Sequence, residues 1–149
     1  ALTCIHVLLR SLETVGNYIR KSEASGGVAP VVATSGQYTP AITGIANVDS
    51  VVVSEAMWFR IGQIVKVTGN VAIDATAAGT ETTVSTSLPM ASDMWDNAQV
   101  GGVAVSRHVD HPAASIIGDA ATDTARMSFK APNTSGTNWW FDFTYRMRS

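Results

Sequence analysis

Few side chains in this sequence are equipped for chemistry. His108-Val109-Asp110-His111 is the one cluster of metal-ligand type. Residues three apart on an extended strand face opposite sides, so His108 and His111 reach one ion only if the segment turns, with Asp110 orienting one ring. In a trimer with that turn on the axis, a ring of three imidazoles would complete a site. The plainer alternative is a polar surface turn ahead of Pro112, and no metal or other cofactor is expected. Asp93 and Asp96 supply the two carboxylates that glycoside hydrolysis needs, but the chemistry depends on their separation, which sequence does not reveal. Gly-x-Ser-x-Gly, the Walker loop, Gly-x-Gly-x-x-Gly and His-Glu-x-x-His are all absent. The chain is therefore expected not to be an enzyme. A glycan-active enzyme built on Asp93 or Asp96 is the alternative from another class.

Aromatic residues point to binding instead. Trp58 and Trp140 fall on the mixed faces of strands whose other faces already supply apolar residues, so each is expected outside, against another subunit or a stacked ligand. Trp95 lies among Asp and Asn in a long connection and is expected to face a ligand. The ligand- or partner-facing set is thus Trp95, His108, His111 and Trp140, with Trp58 assigned to subunit packing.

Composition narrows the partners. The 149 residues are 46% hydrophobic and only 15% charged, against about 25% charged in an average domain. Ten basic and twelve acidic side chains give a net charge of −2, with no Lys/Arg block. Phosphate-driven binding needs clustered cations, so nucleic acid is not expected. Cys4 is the single cysteine, which rules out an intrachain disulfide and a Cys-based zinc site within one chain. The apolar run Leu2 to Leu9 is too short to span a bilayer and is interrupted by His6, so no membrane insertion is expected. A soluble chain that lost its initiator Met ahead of Ala1 is the expectation.

Two kinds of element must position these residues. From Leu2 to about Ala24, Ile5, Leu8, Leu12, Val15 and Ile19 recur every three or four residues, forming the a/d stripe of a short amphipathic helix. A lone helix of that length is marginal in water, so the stripe is expected to pack on copies of itself rather than on its own domain. Ser25-Gly26-Gly27-Val28-Ala29-Pro30 then ends the helix. Beyond Gln37 the period is two. Val51, Val53, Met57, Phe59 and Ile61 are read as one oily face, with Trp58 and Arg60 opposite. Val65, Val67, Val71 and Ile73 follow beyond a tight turn at Gly62-Gln63. Gly69 marks a bulge or a close backbone approach. Further strands are expected at Thr82 to Leu88, Val100 to Arg107, Ala114 to Gly118 and Ala125 to Lys130. The final strand places Trp139, Phe141, Phe143, Tyr145 and Met147 on one face, the pattern of a central core strand.

Several spaced motifs resemble a β-rich domain of tailed-bacteriophage tail fibres and other exposed virion proteins. They are Gly36-Gln37-Tyr38-Thr39-Pro40, then Trp58-Phe59-Arg60-Ile61-Gly62 leading into Val65-Lys66-Val67-Thr68-Gly69-Asn70-Val71, then Ser87-Leu88-Pro89, and last Trp140-Phe141-Asp142-Phe143-Thr144-Tyr145. The likeness covers about residues 36 to 146 and diverges over His108 to Ile117. It implies a virion structural protein, usually a homotrimer, and brings no catalytic residues.

The combined expectation is a mainly β protein: an antiparallel, jelly-roll-like β-sandwich over residues 36–149, preceded by an α-helical oligomerisation segment at 1–24 and a Gly/Pro linker at 25–35. Its function would be that of a tail-fibre or spike tip binding a host surface glycan or protein. The alternative is a capsid decoration (cement) protein contacting other virion proteins at threefold positions. Location on the tail or capsid surface of the virion follows from either.

Overall fold

The computed structural model describes residues 33–107 and 113–148. The expected helix with its stripe of Ile5, Leu8, Leu12, Val15 and Ile19, the linker up to Val32, and the His108/Asp110/His111 cluster lie outside the described residues. Among the described residues ten strands form: β1 (Ala33–Tyr38), β2 (Ile42–Ala46), β3 (Val48–Val53), β4 (Ala56–Ile61), β5 (Ile64–Ala75), β6 (Glu81–Ser87), β7 (Val100–Ser106), β8 (Ala114–Asp119), β9 (Thr124–Lys130) and β10 (Thr137–Arg146). All their pairings are antiparallel. They make one sheet in the order β1-β4-β5-β10-β7-β8-β9-β6-β2, with β3 pairing β5 beside β4. Because β2 and β3 are consecutive yet pair with β6 and β5 respectively, the sheet must curl on itself.

The corner between β2 and β3 is Asn47, which is left-handed with φ 53°. Asn tolerates this region better than most residues, and here its side chain also works. Its Oδ1 accepts from the Ala77 amide at 2.7 Å, and its Nδ2 donates to the Ala77 carbonyl at 2.9 Å and to the buried Thr82 hydroxyl at 2.8 Å. One residue therefore ties the corner to the loop between β5 and β6.

The core follows the alternation of the long strands. β10 lies between β5 and β7 and buries Trp139, Phe141, Phe143 and Tyr145 almost completely, as a central strand should. Opposite them are Val65, Val67, Val71, Ile73 and Ala75 of β5, while Val100 and Ala104 of β7, Ile116 of β8, and Met127 and Phe129 of β9 complete the cluster. Gly69 keeps the register of β5 with β10 unbroken, so it is no bulge. A Cβ there would lie 2.5 Å from Phe141 Cζ and 2.8 Å from Ala56 Cβ, which makes the close approach the reason for glycine.

Three expectations are corrected. Val51 to Ile61 is not one strand: Ser54-Glu55 divides β3 from β4 and inverts the alternation between them. As a result Ala56 is buried and Trp58 packs against the core, whereas Met57, Phe59 and Ile61 face outward. The cause is the two-residue turn at Gly62 (φ 61°) and Gln63, which pairs Ile61 with Ile64 and so sets Arg60 opposite Val65 and Trp58 opposite Val67. Finally, Ala33 to Ser35 belong to β1, paired with Ile61 to Phe59, rather than to a linker.

Candidate binding surfaces

The outer face of β4, β5, β10 and β7 exposes large apolar residues. Phe59 and Ile61 are 44% and 51% exposed, and Met57 on the same strand and Ile64 across the turn are similarly open. Farther along the sheet, Trp140 is 46% exposed and pairs with Asn70 on β5 and Val105 on β7. Val103 and Val105 are exposed beside it. Polar relief is limited: Lys66 Nζ meets Asp142 Oδ2 at 2.7 Å between the two apolar groups.

Trp140 thus stands outside as its alternation requires. Trp58 does not: it is half-buried, and its ring lies against Gly36 of β1, where a Cβ would come within 2.8 Å of Trp58 Cζ2. Phe59, Ile61 and Met57 occupy the outward positions instead. Sequence reading missed them because it assigned the oilier side of β4 to the core; the turn length, counted back from Val65, is the signal that finds them.

Trp95 is the most open aromatic among the described residues, at 79% exposed. Its backbone is nevertheless held. Its amide donates to Gln99 Oε1 at 2.7 Å, and Asp96 caps the 3-10 turn Asn97–Gln99 by accepting from the Ala98 amide at 2.7 Å. Upstream, the Ser92 amide and hydroxyl both donate to the Asp123 carboxylate, and the Tyr145 hydroxyl donates to the Met90 carbonyl at 2.8 Å. Downstream, Asn97 Oδ1 accepts from the Ala120 amide at 2.9 Å. The connection from β6 to β7 is therefore a fixed platform that lifts one indole into solvent.

The carboxylates divide in role. Asp96 is committed to its cap, and Asp93 is exposed with its backbone amide near the Arg146 carbonyl at 3.4 Å. Burial raises the Tyr145 phenol to about 12, while the hydrogen bond its oxygen accepts from the Met90 amide at 3.2 Å opposes the rise and the Asp123 charge adds to it. Burial also raises Tyr38, whose hydroxyl donates to the Ser87 carbonyl at 3.2 Å. Both phenols anchor the ends of the Ser87 to Met90 segment. Among the described residues no group of three His, Cys, Asp or Glu could hold a metal ion, and no helix is long and apolar enough to cross a membrane.

No protein-family model matches the chain, and no curated protein or solved structure is significantly similar to it.

Proposed function

We propose that the protein is a bacteriophage virion structural protein, a homotrimer whose exposed β domain forms a tail-fibre or spike tip and binds the host surface. The observation that carries this reading is the set of large apolar side chains left in water by one copy: Met57, Phe59, Ile61 and Ile64 at one end of the outer face, and Val103, Val105 and Trp140 farther along it. A single-copy protein rarely leaves so many side chains of this size open on one sheet face, and association with other copies covers them. The spaced motifs from Gly36 to Tyr145 point the same way, and the Leu2 to Ala24 stripe supplies a second self-associating segment. Multivalent display then converts weak single contacts into avidity.

We further infer that the curled sheet closes into two facing layers of a sandwich with jelly-roll character. The Phe129 and Trp139 rings, on strands β9 and β10 that are not neighbours, lie 4.2 Å apart between centroids, which is the contact that facing layers make.

Light scattering on the full chain tests the assembly: about three chain masses at micromolar concentration is expected, and a stable single-chain mass would overturn it. Immunogold labelling of particles tests the location. Label on the tail is expected, whereas label confined to the head would replace the host-binding reading with a capsid decoration role.

A further inference from the structure

The other half of the sheet has an outer face of opposite character. On β6, β8 and β9 the outward positions carry Glu81, the largely covered Thr83 and Ser85, then Ser115 and Ile117, and Thr124, Arg126, Ser128 and Lys130, so hydroxyls outnumber the one large apolar side chain, Ile117, among them. Within this face lies an open concavity of about 420 Å³ lined by Glu81, Ser115, Ser128, Phe129 and Lys130. That size is within the range of about 300–1,000 Å³ found for small-ligand sites.

We propose that this concavity binds an uncharged saccharide unit. Its frame is rigid. Phe129 is buried and seats its ring on Trp139, Thr83 and Ser128 share a hydroxyl hydrogen bond at 3.2 Å, and Ser115 pairs with Ser128 across β8 and β9. At the rim, the Ala131 amide donates to the Thr80 carbonyl at 3.0 Å and the Gly79 amide to the Ala131 carbonyl at 2.7 Å, which locks the backbone on either side of Glu81 and Lys130. Those two residues are directly opposed in the ladder and both exposed, yet no ion pair joins them among the described residues.

The chemistry of the four polar groups selects the ligand class. Glu81 only accepts hydrogen bonds, Lys130 only donates them, and the Ser115 and Ser128 hydroxyls do both. Adjacent sugar hydroxyls, each a donor and an acceptor, can satisfy all four at once. The opposite charges cancel, so neither an anion nor a cation gains a net field. The site deepens the host-surface reading and rests on it for its biological use.

The test is a titration of the ¹⁵N-labelled full chain with glucose, galactose, mannose and N-acetylglucosamine, one at a time, to about 50 mM. Saturable shifts at the Ser115, Ser128 and Lys130 amides with at least one sugar are expected, weakened about tenfold or more by Glu81→Gln and by Lys130→Met, and unchanged between 50 and 500 mM NaCl because no net charge is bound. No saturable shift at these amides with any of the four sugars, or shifts that survive both substitutions, would overturn the proposal. So would saturation at these amides by glycine zwitterion together with none by sugar. Failure of the site alone is recognisable because the same sample still scatters as three chains. Sugar binding by a chain of single mass supports the site while removing the trimer.

Discussion

At the scale of single residues, buried hydroxyls decide where stability depends on pH and where it can be gained. The Tyr145 hydroxyl donates to the Met90 carbonyl at 2.8 Å and accepts from the Met90 amide at 3.2 Å. Tyr145→Phe keeps the ring in the core and strands both backbone groups, so a loss of about 1–3 kcal/mol is expected in urea melts. The alkaline response carries a definite sign. The folded phenol titrates near 12, above the value of about 10 in an unfolded chain, so its contribution is complete below pH 10. As pH rises beyond that, the unfolded state loses the proton first, and stability falls until the folded phenol ionises too. Tyr38 is raised by the same cause and adds to this slope. Urea midpoints measured from pH 9 to 11.5 are expected to fall for the natural chain and to fall less steeply for Tyr145→Phe; equal slopes would remove Tyr145 as their source. Thr86 is the reverse case. Its hydroxyl is buried on β6 with no hydrogen-bond partner among the described residues. Thr86→Val keeps the shape and removes the desolvated oxygen, so a gain of about 1 kcal/mol is expected in the same melts.

At the scale of elements, β10 organises the rest. It pairs with β5 over ten residues and with β7 over seven, and its inward side chains reach both halves of the sheet. Phe143→Ala is expected to cost about 3–5 kcal/mol, and a loss below about 1 kcal/mol would refute its central place. Gly69→Ala tests the same strand from its partner: the added methyl must displace Phe141 or Ala56, so a loss of about 1–3 kcal/mol is expected although no contact is removed. The place of Phe143 was legible in sequence, because large residues alternating on one strand have a single way to be buried; Gly69 was legible only as a bulge or a close approach, and the unbroken register with β10 decides between them. Also legible were the Gly62-Gln63 hairpin and the strands from Thr82 onward, whose ends carry Pro, Gly or Asp. The orientation of β4 was not read correctly, since it depends on a break at Ser54-Glu55 that swaps the two faces and on a register inherited from β5. Nor was the concavity at Glu81 and Lys130. It joins residues 49 positions apart, brought together by a pairing of β6 with β9 that no local pattern encodes. The exposure of Trp95 and Trp140 was legible because an exposed indole leaves a mark in sequence: polar neighbours in one case, the wrong parity in the other.

At the scale of the whole molecule, the proposed trimer has two candidate self-associating segments, and they can be separated. The outer apolar face contributes Phe59 and Ile61, while the Leu2 to Ala24 stripe contributes Leu8 and Leu12. Replacing Phe59 and Ile61 together by Lys puts two ammonium groups on every copy of that face. Both side chains already contact water, so the domain's own stability in urea melts is expected to change by about 0.5 kcal/mol or less per site. A contact between copies would have to bury those charges unpaired, which costs several kcal/mol and outweighs any surface gain. The expected result is a fall from about three chain masses toward one, with the fold retained. Leu8→Asp with Leu12→Asp makes the matching change in the other segment. If only the Asp pair dissociates the protein, the sheet face is free in the trimer and available to a different partner. If only the Lys pair does so, the β domain alone holds the threefold contact. Loss of the trimer in both variants means that both segments are needed, because each alone then buries too little apolar area to offset the entropy of bringing three chains together.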